Sequence, residues 1–290
     1  MYTITKGGEN LVKITADSAC DLSTEIVDFM DITITPLYII VDGGESHRDG
    51  VDITTDDLFR VVETEKKKCQ TTAVNQFDYQ KVFGDLHSKY DAVVHFNISA
   101  EFSACWQNAT LAAKEYPNIH VVDTRNLSTG FGYVVYEAAL KAQEGADADE
   151  IVAHANNIIP KIDCSFVIDR LDYLHRGGRC SGLESIGARI LNIKPCIEVV
   201  EGKMRVGKKY RGSFMLSLEK YIADRLASHD DIDYTRVFIT HPKCTPGVVK
   251  RVEEILKGYG KFTEIIETRA GCTVSNHCGP NTLGIIFKRI

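Results

Sequence analysis

Although this chain holds nine cysteines, no two of them stand in a C-x-x-C arrangement. An odd number of scattered thiols with no redox or finger spacing reads as free cysteine in a reducing compartment, where it serves as a small buried hydrophobe. Cys272, His277 and Cys278 are near one another, but their spacing fits no zinc motif, so no metal is expected. Also missing is any apolar run long enough to cross a bilayer. The N-terminal "MYTITKGGENLVKITADS" has no signal-peptide core. The expectation is a cytoplasmic protein without stable membrane insertion. Positive charge is not in excess: 34 Lys and Arg face 40 Asp and Glu, a net charge of -6, which argues against nucleic acid as the partner. Nucleotide motifs fail as well. "GLESIGAR" has the first spacing of a Walker A loop without its Lys-Ser/Thr, and "TGFGYVV" supplies Gly130 and Gly132 but no third glycine. No internal repeat or low-complexity segment stands out.

What is there is ordinary globular material. The 290 residues are 44% apolar and 26% charged, enough for one large or two medium domains with full cores. The first half alternates short β-rich runs with helical ones. "VKITAD", "PLYIIV", "AVVHFNI" and "IHVVDT" read as strands, and Ser23, Thr54 or Thr55, Ser103 and Ser128 read as helix openings. That alternation predicts a parallel sheet with helices on both faces. Near residue 160 the rhythm changes. "CSFVID", a helical "LESIGARILN", a hairpin turning at Glu201-Gly202 and two amphipathic helices among further strands predict an α+β half. The boundary is placed between Gly145 and Lys161, giving domains 1–160 and 161–290 packed without a flexible linker.

Polar residues gather at the carboxyl ends of the first-half strands, where open α/β sheets bind ligands. "ITADSAC" offers Asp17 and Ser18, "NISAEFS" Ser99 and Ser103, "VDTRNLST" Asp123, Thr124 and Ser128, and "CQTTAVN" Thr71 and Thr72. Each is an ordinary helix cap when taken singly. Together, hydroxyls and helix N–H groups suit a small anion. A serine nucleophile at Ser103 with His277 as base is the rival reading, but "EFSAC" lacks the G-x-S-x-G turn. The second half supplies cations beside glycines: Arg176 and Arg179 around Gly177-Gly178, and His277 ahead of Gly279. Glycine lets a backbone approach a ligand closely.

In order along the chain, these segments resemble the DegV family of bacterial lipid-binding proteins. "ITADSACDL" is similar to that family's T-D-S-x-x-D-L, and "RDGVDIT" to Y-x-D-G-x-D-I-T. "TTAVN" is partly similar to T-S-Q-P-S. "ISAEFSACWQNA" resembles I-S-S-x-L-S-G-T-Y-Q-S-A, with Ala104 and Cys105 for glycine and threonine and with Glu101 nearby. "LDYLHRGGRCS" resembles L-x-Y-L-x-K-G-G-R-I-S, and "HCGPNTLG" resembles H-x-G-P-G-T-L-G. The resemblance implies a two-domain fold, an N-terminal parallel-sheet α/β domain and a C-terminal α+β domain, with one long-chain fatty acid between them. Its head-group ligands would be Thr71, Thr72, Ser103, Arg179 and His277. It implies no cofactor and no catalytic residue of the chain's own. A separate fatty acid kinase would phosphorylate the presented carboxylate. On this reading Gly177 and Gly178 bend the chain so that Arg179 reaches the head group, while Arg176 stays on the surface.

Overall fold

The computed structural model describes residues 11–181 and 193–290. The helix expected in "LESIGARILN" and the Walker-like "GLESIGAR" lie outside those residues.

Through the first half, the elements in chain order are β1 (Val12–Asp17), α1 (Thr24–Phe29), β2 (Thr33–Thr35), β3 (Tyr38–Val41), β4 (Ser46–Arg48), α2 (Thr55–Phe59), β5 (Cys69–Thr72), α3 (Gln76–His87), β6 (Ala92–Asn97), α4 (Cys105–Ala113), β7 (Ile119–Asp123), α5 (Ser128–Gln143) and α6 (Ala148–Ile158). Then come β8 (Ile162–Ile168), α7 (Leu171–Gly177), β9 (Cys180–Ser181), β10 (Ile193–Val200), β11 (Lys203–Arg211), α8 (Phe214–Ala227), β12 (Ile232–His241), α9 (Pro246–Gly258), β13 (Glu264–Arg269), α10 (Cys272–Cys278) and β14 (Thr282–Arg289).

The expected parallel sheet is present as β2-β1-β6-β7. β1 and β6 are buried along almost their whole length, as strands covered on both faces must be. The pair α3 and α4 and the pair α5 and α6 pack on it. "PLYIIV" is a strand, but not one of that sheet. As β3 it lies antiparallel between β4 and β5 in a small separate sheet. Helix starts also differ. Ser103 precedes α4 by two residues, with Ala104 at the cap position. Ser128 is the first residue of α5, with positive φ, rather than its cap. Ser23 and Thr54 do cap their helices, Thr54 in a reciprocal box with Asp57.

The second half forms a seven-stranded mixed sheet, β13-β12-β14-β8-β10-β11-β9. The hairpin turns at Glu201-Gly202 as expected, both residues with positive φ. Alternate residues of its central strands face opposite cores. Phe166 and Ile286 join the core shared with α5 and the parallel sheet, whereas Val167, Ile285 and Phe287 pack with α8 and α9. α5 therefore lies between the two large sheets, touching β1 on one side and β8, β12 and β14 on the other. This explains the glycines of "TGFGYVV". A Cβ on Gly130 would sit 2.7 Å from Cys164 Sγ, and one on Gly132 would overlap the Cys20 carbonyl. They are spacers for close packing, not phosphate binders.

Candidate functional site

A cavity of about 480 Å³ opens where the ends of β5, β6 and the Ser99–Ala104 loop meet α7, α10 and β11. All five residues expected around an anionic head group line it: Thr71, Thr72, Ser103, Arg179 and His277. The rest of the wall is mostly apolar, with Leu37, Ile98, Phe102, Leu127, Met204 and Val274. Size and lining are those of a small-molecule site, largely apolar with a few convergent polar groups.

The cationic side is built from two short helices that the sequence reading did not anticipate. α7 ends at Gly178, whose φ of +64° is the left-handed conformation of a helix C-cap. The chain then turns, and Arg179 points to the cavity with Nη1 donating to the Gly177 carbonyl at 2.6 Å. Among the described residues no carboxylate pairs with Arg179. Arg176, one turn back, stacks 4.5 Å over the Tyr173 ring and lies 3.7 Å from Asp172, its side chain 56% exposed. Both arginines are exposed, but Arg179 lines the cavity and Arg176 does not. Gly177 has a different role from Gly178: a Cβ there would overlap the His277 ring, so α7 packs directly on the imidazole.

His277 sits on α10. Its Nε2 is 2.9 Å from Thr71 Oγ1, and among the described residues its buried Nδ1 has no hydrogen-bond partner. Burial, and then the Arg179 charge, push the imidazole down to about 4, so it is neutral at pH 7. Ser103 Oγ donates to Cys105 Sγ at 3.1 Å and accepts from the Cys105 N–H. Among the described residues, then, no Ser103–His277 pair forms, as a nucleophile and its base would require. Glu101, on the same wall, is 3.5 Å from Lys203 across the mouth.

Most other strand-end polar groups are already satisfied inside the protein. Ser99 Oγ donates to the Gly202 carbonyl at 2.8 Å, tying the hairpin tip to the parallel sheet, and Arg125 donates to the Glu201 carbonyl beside it. Asp123 accepts from the backbone of Ala100 and Arg125. Thr124 donates to the Asn97 carbonyl. They are structural clasps.

Two acidic residues that support the site from outside carried no assigned role in the sequence reading. Asp49, in "RDGVDIT", accepts from the N–H groups of Cys272 and Thr273 at 2.8 and 2.9 Å. Asp21, in "ITADSACDL", accepts from Gly271 N–H at 2.8 Å and from Ser128 Oγ at 2.5 Å. Both side chains are buried and together accept from the backbone N–H groups at the N-terminus of α10, the helix that carries His277. Burial pushes the Asp21 carboxyl up to about 8. Ser128 and the Gly271 amide oppose that rise, and the Asp49 charge adds to it.

Beyond the main cavity is a second, much smaller one of about 30 Å³, lined by Cys164, Phe166 and Ile286. Leu127, Val274 and Cys278 form part of the wall of both.

Comparison with known proteins agrees over nearly the full length. The DegV family model matches residues 11–289. A DegV domain-containing protein of Caldanaerobacter subterraneus subsp. tengcongensis is 32% identical over 281 residues, covering 96% of this chain and 98% of the relative. Among solved structures, a DegV family protein from Thermus thermophilus described for its fatty acid binding superposes with a TM-score of 0.89 at 25% identity, covering 96% and 99% of the two chains. A stearic-acid-binding protein from Eubacterium ventriosum gives a TM-score of 0.82 at 26% identity, covering 96% and 98%.

Proposed function

The chain belongs to the DegV family, and from that premise we propose that it binds one long-chain fatty acid as its carboxylate in the 480 Å³ cavity. The observation that carries the reading is convergence. Two threonines, a serine, a neutral histidine and an arginine with no carboxylate partner among the described residues line one cavity whose remaining wall is mostly apolar. Arg179 supplies the charge-assisted bond, and Thr71, Thr72, Ser103 and His277 complete the shell. The acyl chain runs past Leu127, Val274 and Cys278 towards Cys164 and Phe166. Each buried methylene contributes about 0.8 kcal/mol before ordering costs, so a long chain binds tightly and exchanges slowly. The divide between domains 1–160 and 161–290 then falls across the site, hydroxyls on one side and cations on the other.

The protein performs no chemistry alone and presents the carboxylate to a separate fatty acid kinase. In support, Arg179 on the cavity wall is exposed, while among the described residues Ser103 and His277 have other partners than each other. Mass spectrometry of a denatured extract of the purified protein is expected to release a long-chain fatty acid. Recovery of only nucleotides, sugars or no ligand, with no uptake of added palmitate or oleate, overturns the reading. Steady turnover of acyl esters by the isolated protein favours a hydrolase instead.

A further inference from the structure

Of the buried hydroxyls that have no hydrogen-bond partner among the described residues, Thr273 is the one on the cavity wall. It stands four residues before His277 on α10. The two therefore share a helix face, about 6 Å apart along the axis at roughly 1.5 Å per residue. Val274 and Cys278, the residues that follow each of them, line the same cavity. α10 thus sets a polar row beside an apolar one. Its other buried polar side chains are spent: Ser275 Oγ donates to the Ala270 carbonyl at 3.1 Å, and Cys272 Sγ to the Ile53 carbonyl at 3.3 Å. Thr273 is only 5% exposed and gives its backbone N–H to Asp49 at 2.9 Å. Among the described residues, nothing holds its side-chain oxygen.

We propose that Thr273 is a specificity-determining contact, and that the cavity prefers a fatty acid bearing a hydroxyl on the carbons nearest its carboxylate. The proposal rests on the fatty acid reading, in which the carboxylate meets His277 and the chain passes Val274. The first few carbons of that chain then lie level with Thr273. A plain methylene chain closes over the threonine oxygen and offers it no partner, and an unmade buried hydrogen bond is the costly kind. A ligand hydroxyl donates and accepts, as the threonine hydroxyl does, so the pair closes in either direction. Threonine in a helix divides between two χ1 rotamers, and one χ1 step exchanges its oxygen and its methyl on the wall. A site equipped to hydrogen-bond a ligand hydroxyl discriminates against the analogue that lacks it.

The test compares the parent chain with Thr273→Val for three acids of one length: palmitate, 3-hydroxypalmitate and 16-hydroxypalmitate. Valine keeps the branched shape and the backbone N–H that Asp49 accepts, and loses only the hydroxyl. The parent should bind 3-hydroxypalmitate about three- to tenfold more tightly than palmitate, the size of one neutral hydrogen bond. Thr273→Val should abolish that preference while binding palmitate at least as tightly as the parent, because it no longer buries an unpaired oxygen. For 16-hydroxypalmitate, whose hydroxyl is at the far end of the chain, parent and variant should differ no more than they do for palmitate. Thr273→Ser should keep the preference, and Thr273→Ala repeats the comparison should the valine variant not fold. A parent that binds palmitate and 3-hydroxypalmitate alike, or a preference that survives loss of the hydroxyl, overturns this proposal and leaves the fatty acid reading standing. A parent that binds none of the three acids overturns both.

Discussion

The strand-end loops of the parallel sheet and the glycine-bounded helix ends of the second half both look, in sequence, like places to bind an anion. Folding treats them differently. In the first group Asp17, Asp21, Ser99, Asp123 and Thr124 spend their hydrogen bonds inside the protein, on backbone amides and carbonyls or on buried side chains, as does Asp49 beyond β4. In the second group, among the described residues, Arg179 has one carbonyl partner and His277 leaves Nδ1 unpaired. The buried polar group is the expensive one to leave unmade, so the first group is satisfied as the chain folds. Capacity for a ligand is kept at the cations and at the few hydroxyls facing them. A cluster of cap-like residues is therefore weak evidence for a site until its partners are known.

The sharpest way to break this contrast is to remove an anchor from the satisfied side. Asp49→Ala leaves the Cys272 and Thr273 amides of α10 without acceptors in a buried place. It should cost about 3 kcal/mol of stability, read as a lower melting temperature or denaturant midpoint. A loss within the range of a surface substitution would show that α10 does not depend on that carboxylate.

The unsatisfied side is tested through affinity. Arg179→Ala should weaken a free fatty acid by about 1.5–3 kcal/mol, roughly tenfold to a hundredfold, and its methyl ester far less. Arg176→Ala, at a residue held by Tyr173 and Asp172, should change little. His277→Ala should weaken binding less than Arg179→Ala does, since its imidazole is neutral. Two arginine variants that behave alike would reduce the glycine-arginine turn to a turn.

The smallest effect at neutral pH, and the most diagnostic, concerns Asp21. Its carboxyl is raised in the folded state, from an ordinary value near 4 to about 8, chiefly by burial. Between those limits the folded chain keeps a proton that the unfolded chain has lost. Its stabilising contribution is thus complete below about pH 4 and is lost as pH climbs through 8. Asp21→Asn keeps an acceptor for Gly271 and removes the titration, so the variant's stability should fall less steeply across that interval. Parallel pH–stability curves for the variant and parent would show that Asp21 titrates normally.

The sequence was sufficient for elements whose own pattern carries the information. Buried runs such as "AVVHFN" and "FITH" became β6 and the end of β12, the Glu201-Gly202 turn joined β10 to β11, and Thr54 with Asp57 closed a capping box. Each needs only local geometry and hydrophobic period. Arg179 stood out for a similar reason, because a glycine pair before it permits a change of direction, although the helix α7 that ends there was not anticipated.

Other features were decided by partners far away in the chain. "CTVSNHC" is rich in poor helix formers, yet it is helical as α10 because Asp49 and Asp21, 223 and 250 positions away, supply its missing caps. "PLYIIV" declares a strand but not its neighbours. It pairs antiparallel with β4 and β5 because pairing depends on the surfaces available, not on propensity. The glycines of α5 make sense only once two sheets close on that helix. Whether a hydroxyl such as Ser99 or Ser103 is spent or spare is likewise a matter of what folding brings within 3 Å. Composition and period fix a residue's local conformation, and tertiary contact fixes whether its polar atoms are still free to bind.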